Sequence, residues 1–149
     1  MITRATEYAC LAMLFLAKQP AGTSSNTADI ARVERIPMSF LAKVINQLAK
    51  AGLVTSRRGP LGGLELARDP SQITLRQIVE VIEGELAVNV CTGSQDYACF
   101  RHGCALKGAF HEAQLAYLAR LDAVTLASLV ENDQFPSDRP FEAAPLGSL

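Results

Sequence analysis

The stretch that most constrains this chain is residues 38–67, MSFLAKVINQLAKAGLVTSRRGPLGGLELA. Apolar residues at 41, 44, 45 and 48 recur at helical spacing, so 38–51 reads as an amphipathic helix. Gly52 falls just past its end, where a left-handed residue stops a helix without a Cβ penalty. Residues 53–56 (LVTS) and 64–67 (LELA) then read as two short strands flanking Arg57-Arg58-Gly59-Pro60-Leu61-Gly62-Gly63, a tight basic turn.

The segments before it complete the pattern. Residues 2–18 are rich in Ala, Leu and Met and predict a helix, with Thr3 or Thr6 as its cap. A break over Gln19–Asn26 precedes a short helix over 27–33, capped by Asn26 or Thr27. Helix, helix, turn, helix and a two-stranded basic hairpin is a winged helix-turn-helix in a mainly α chain. Downstream, Thr74 and Gln77 form a capping-box pattern for a helix over 75–83, which Gly84 closes. Residues 105–122 predict a long helix with Leu106, Phe110, Ala113, Tyr117 and Leu121 along one stripe, and Thr125 caps a last short helix. Residues 136–149, with three prolines and little periodicity, read as a disordered tail.

In such a unit the second helix of the motif enters the major groove of double-stranded DNA and its N-terminal residues reach base edges. Ser39 and Lys43 stand at that end and Asn46 one turn on. Arg57 and Arg58 are placed to reach phosphates or a minor groove. Alone, an Arg-Arg-Gly turn is an ordinary solvated turn; its place after a helix-Gly-strand unit favours DNA. Charge agrees: residues 1–69 carry nine Lys or Arg against five Asp or Glu, whereas the remainder is net −5. A basic N-terminal half suits a polyanion.

Sulfur is concentrated elsewhere. Cys91, Cys99 and Cys104 fall in one polar run, CTGSQDYACFRHGC, and Cys10 is the only other cysteine. No apolar run approaches the ~20 residues of a membrane span, and the N-terminus lacks a signal peptide's basic start, so a cytoplasmic location without a membrane partner is expected. There, clustered thiols are metal ligands or redox groups more often than structural disulfides. Thiolates are soft ligands for an iron–sulfur cluster or zinc, and the C-x7-C-x4-C spacing is wider than the C-x2-C knuckles of structural zinc sites. Two histidines, His102 and His111, lie within reach of the loop in sequence. Cys10 reads as a small buried hydrophobe. The glycines of residues 59–63 sit between strands rather than before a helix, unlike a phosphate loop. With no catalytic triad or carboxylate-pair motif, an enzyme is not expected.

The segment KAGLVTSRRGPLGGLELARDP (50–70), the start ITRATEYACLAML, the stretch IPMSFLAKVINQLAKAGLV and the late DAVTLASLV together resemble the Rrf2-type winged-helix transcription regulators, the family of IscR and NsrR. The resemblance spans about residues 1–131. It implies a homodimer on a palindromic operator, joined through the helix 105–122. It further implies an iron–sulfur cluster on Cys91, Cys99 and Cys104, with four irons favoured over two. The implied organisation is a DNA-binding region over 1–84, a cluster loop over 85–104 and a dimerisation region over 105–135. For the fourth ligand, IscR-like relatives have a His at the position of Lys107, whereas the NsrR-like pattern uses an acidic residue of the first helix from the other subunit, here Glu7. Glu7 is the favoured candidate, with His102 and His111 behind it. Ala42 replaces the Glu that helps IscR choose between sites. The expectation is a repressor sensing redox state, iron, nitric oxide or iron–sulfur supply; a cluster-free thiol/disulfide sensor on the same fold is the alternative.

Overall fold

The Ala- and Leu-rich start becomes α1, Arg4–Ala17. Thr3 caps it, its hydroxyl accepting from the N–H of Thr6, so of the two capping threonines the first does the work. Thr6, Ala9, Met13 and Leu16 recur every three or four residues and are buried, with Ala12 and Phe15 widening the face. The computed structural model describes residues 2–60, 62–93 and 101–134. The expected disordered tail, 136–149, lies outside them.

Asn26 caps α2, Thr27–Val33, by accepting from Ala28 N–H at 2.9 Å. The third helix, α3, Met38–Lys50, buries Leu41, Val44 and Leu48 and ends before Gly52, whose φ of 70° is the left-handed conformation the sequence implied. Strands β1 (Val54–Arg57) and β2 (Gly63–Leu66) pair antiparallel, Val54 opposite Leu66 and Arg57 opposite Gly63. Each lies one position from its expected span. Leu53 spends its N–H on the Leu48 carbonyl of α3, and at the other end Arg57 pairs with Gly63, so the ladder sits one residue nearer the turn.

The loop before α2 joins this sheet. Ser25 bridges Leu64, each N–H donating to the other's carbonyl at 2.8 Å. That contact ties the wing to the body of the helix-turn-helix.

Thr74 and Gln77 form the expected capping box at the start of α4, Leu75–Glu83. Two helices follow, α5 (Ala105–Asp122) and α6 (Leu126–Asn132). Leu75 N–H bonds Val124 carbonyl at 2.8 Å, and Leu126 N–H bonds Ile73 carbonyl at 2.9 Å, so α4 and α6 start side by side. At the far end of α4 the Glu83 carboxylate accepts from the N–H of Thr3 at 2.8 Å, from its hydroxyl at 2.7 Å, and from the hydroxyl of buried Thr6. These bonds, that of Thr6 first, hold Glu83 below the usual carboxylate range.

The core lies around α1, which packs on α3, α4, α6 and β2. Met13, Ile30, Leu41, Leu48, Leu53, Ile73, Ile78 and Leu126 are fully buried there. Each such side chain contributes about 1.5–3 kcal/mol relative to exposure.

Only part of the stripe read along α5 is covered. Leu121 is buried and Phe110 half-buried, while Leu106, Ala113 and Tyr117 are exposed. Among the described residues α5 meets chiefly α4 and the turn at residues 90–92, and most of its side chains are exposed. Its other buried residue is polar: Gln114.

Candidate functional site

The turn between α2 and α3 fixes how the second helix is presented. Arg35 adopts φ 54°, a left-handed conformation costing a non-glycine residue about 1 kcal/mol. The bend lets Ile36 N–H bond Ala31 carbonyl at 2.9 Å and buries the Ile36 side chain, which offsets that cost. With Leu41, Val44 and Leu48 turned inward, Ser39, Lys43 and Asn46 all face solvent, as a groove-reading face requires.

That face extends beyond the helix. Phe40 is 50% exposed, and its ring meets Tyr8 of α1 at 6.0 Å between centroids. The Arg4 guanidinium lies 5.8 Å over Tyr8, and the Lys43 ammonium 6.0 Å from Phe40. Arg4, Tyr8, Phe40 and Lys43 thus make one surface of two rings in edge contact, flanked by a cation on each side. Sequence reading missed Arg4, Tyr8 and Phe40. The i,i+4 spacing of Arg4 with Tyr8 was visible, but the contact between the two rings is made only by packing α1 on α3.

In the wing, Arg57 Nη2 lies 3.2 Å from Glu65 Oε1, two residues along the facing strand, while Arg58 is exposed at the turn. The glycines there answer to sterics. A Cβ on Gly62 would sit 2.2 Å from the Arg57 carbonyl, and one on Gly63 2.6 Å from the Ser25 carbonyl. Gly59 has φ 113°, which side-chain-bearing residues rarely adopt.

The cysteine segment is anchored at both ends. Cys91 sits half-buried on a 3-10 turn, Val90–Thr92, whose start Asn89 caps by accepting from Cys91 N–H at 3.3 Å. Gln114 of α5 holds the same segment: its Oε1 accepts from Val88 N–H and its Nε2 donates to Thr92 carbonyl, both at 3.0 Å. Cys104 is the N-cap residue of α5. Its sulfur makes no capping bond of ordinary geometry, but the backbone N–H groups of Lys107 and Leu106 lie toward it and, with a smaller pull from Arg101, keep its pKa below the usual thiol value. Cys99 lies outside the described residues.

The other candidate ligands are scattered. Glu7, in the first turn of α1, is exposed and paired with Arg4 at 2.6 Å. His102 is exposed just before α5, and His111 is exposed on it. Cys10 is half-buried, and burial, helped by the Glu7 charge, pushes its thiol up to about 11, so it stays neutral near pH 7. Among the described residues no three His, Cys, Asp or Glu side chains gather to hold a metal ion. The donor chemistry nonetheless suits a soft metal centre: Cys91 and Cys104 are free thiols, the latter held toward thiolate.

Apolar side chains lie uncovered around these anchors. Val88, Val90, Leu106, Leu115 and Tyr117 are between 38% and 63% exposed. No described helix is long and apolar enough to cross a membrane.

A winged helix-turn-helix with a solvent-facing second helix, joined to a cysteine-bearing turn on a long helix, is the architecture of the winged-helix class of DNA-binding regulators. The chain belongs to the Rrf2 family: the family model described as an iron-dependent transcriptional regulator matches residues 2–132. It is 35% identical over 133 residues to the HTH-type transcriptional regulator NsrR of Shouchella clausii, covering 89% of each protein. Among solved structures it is similar to CymR (YrzC), the global cysteine regulator of B. subtilis, at TM-score 0.78 and 25% identity, covering 90% of this chain and 98% of that one. It is likewise similar to T. potens IscR, at TM-score 0.72 and 27% identity, covering 89% and 87%. The protein is an Rrf2-family transcriptional regulator.

Proposed function

We propose that this regulator is a homodimeric repressor controlled by an iron–sulfur cluster held by Cys91, Cys99 and Cys104, with Glu7 of the partner subunit as the fourth ligand. The observation that carries this reading is the seating of both described loop cysteines on α5. Cys104 begins that helix, and Cys91 is bonded onto it through the segment that Gln114 holds. The apolar side chains left exposed on and beside the same helix support a second copy as its cover. The iron-dependent description of the family and the likeness to NsrR and IscR support a cluster. A 4Fe–4S form is favoured over 2Fe–2S.

When bound, the cluster supplies a centre that responds to electron transfer, oxygen, nitric oxide or iron loss. The chain's own residues do the rest. Thiolates at 91, 99 and 104 bind it, with Cys104 helped by the N-terminal N–H groups of α5. Glu7, exposed on α1, is a hard oxygen donor, weaker toward a soft metal than a thiolate. His102 and His111 are the other candidate ligands. Ser39, Lys43 and Asn46 read bases, and Arg57 and Arg58 contact the backbone. A two-fold dimer presents two recognition helices to two half-sites of a palindrome.

A second reading rests on Cys104. A thiol held toward thiolate is a better nucleophile, which suits a cluster-free thiol/disulfide switch through Cys91, Cys99 and Cys104. Anaerobic purification, an absorption spectrum and an iron and sulfide count per chain separate the two. Broad absorption near ~400 nm with about four irons and four sulfides is the expected result. A colourless chain that binds operator DNA only when reduced would establish the thiol switch.

A further inference from the structure

We propose that Gln114 is the positioning residue of the sensor: it fastens the Cys91 turn to α5 and so sets where that thiol stands. Both halves of its carboxamide are used, Oε1 on Val88 N–H and Nε2 on Thr92 carbonyl, each at 3.0 Å. The two contacts bracket Cys91, three residues after the first and one before the second. Gln114 is 9% exposed and, with Leu121, is one of two buried residues on α5. A long helix that leaves leucines in solvent while burying an amide is using that amide for something other than packing.

The chemistry selects the residue type. A donor and an acceptor on the same carbon of a planar carboxamide are carried by Gln and Asn alone, whereas neutral His holds them apart across a ring. Within the turn itself, Asn89 and Thr92 exchange side-chain and backbone bonds and fix its shape. Among the described residues, Gln114 is a side chain hydrogen-bonded from the helix that Cys104 begins to both sides of that preformed turn. The first and last thiols of the loop are thereby referred to one rigid element, which is what any centre bridging them needs.

The consequence for a cluster rests on the proposed function, but the positioning itself is tested without one. The full-length, metal-free, reduced chain is labelled anaerobically with iodoacetamide, and the rate at each cysteine is read by mass spectrometry of its peptide. Gln114→Met keeps the volume and lacks both bonding groups. Gln114→Glu keeps the shape and the acceptor but faces the Thr92 carbonyl with a second oxygen. Both are expected to raise the Cys91 rate about fivefold or more, since unmade buried hydrogen bonds favour local opening, while Cys10 and Cys104 keep their wild-type rates. A wild-type Cys91 rate in Gln114→Met would overturn the proposal, because packing alone would then hold the turn. A parallel rise at Cys10 and Cys104 in both variants would overturn it too, showing general loosening. If the wild-type protein binds a cluster, its absorbance should decay faster in both variants. If the wild type proves colourless, the cluster reading fails and the labelling rates still decide the role of Gln114.

Discussion

The ring of Phe40, on α3, meets the ring of Tyr8, on α1, edge to face at 6.0 Å and 64°. Tyr8 follows Glu7 directly, and Arg4 touches both of them. The helix that carries the proposed fourth ligand is therefore in ring contact with the helix proposed to read DNA. A displacement of the first turn of α1 has a physical route to α3 that crosses no loop.

A double-mutant cycle measures that route. Tyr8→Leu and Phe40→Leu together should destabilise the fold less than the sum of the single changes. A coupling of about 0.5–1 kcal/mol is expected in urea unfolding for an edge-to-face pair at a half-exposed site. Additive singles would mean that the rings touch without coupling the helices.

The wing offers a test by salt. Arg58→Ala should weaken operator binding across sequences and reduce the slope of log affinity against log salt by about 1 if it contacts a phosphate. Arg57→Ala should give a smaller change in slope, because Glu65 already neutralises part of that charge at 3.2 Å. Equal effects would show that Arg57 leaves Glu65 on binding DNA.

Glu7→Ala separates ligand from scaffold. The Glu7–Arg4 pair is solvated, with side chains 49% and 71% exposed, so its loss should leave the urea midpoint of the metal-free chain where it was. The reconstituted cluster should nonetheless lose its absorbance faster in air. A cluster as durable as the wild type's, in this variant but not in His102→Ala or His111→Ala, would move the fourth ligand to that histidine.

Cys10 predicts an alkaline weakness. Burial raises its thiol from the ordinary 9.0 to about 11, so the unfolded chain releases that proton first as pH rises. Stability held in the neutral thiol is whole below pH 9.0 and is lost as pH rises toward about 11. The amount at stake is on the order of 3 kcal/mol. Urea midpoints of wild type and Cys10→Ala should converge over that interval, and a constant gap would show that the thiol is not held neutral.

The elements of this fold were legible wherever a local rule set them. Thr74 with Gln77, Gly52 past α3 and the glycine-rich turn between two β-forming runs each act through bonds or sterics within a few residues, and each stands where its pattern placed it. Thr3, not Thr6, proved to be the cap, accepting from the Thr6 N–H. Both threonines were acceptable to the local pattern, and the structure further ties both hydroxyls to Glu83, some eighty residues on, at the end of α4.

The sequence by itself determined the winged helix-turn-helix, with Ser39, Lys43 and Asn46 off the apolar stripe of its second helix, because periodicity and residue type act at short range. Tertiary structure alone decided what those pieces touch. It brought Phe40 to Tyr8, bridged Ser25 to the wing at Leu64, and set Gln114 against both sides of the Cys91 turn. Each of these contacts joins residues more than twenty positions apart. No window along the chain carries such a pairing, since it arises only when helices bury their apolar faces on one another and fix, as a by-product, which polar and aromatic groups meet.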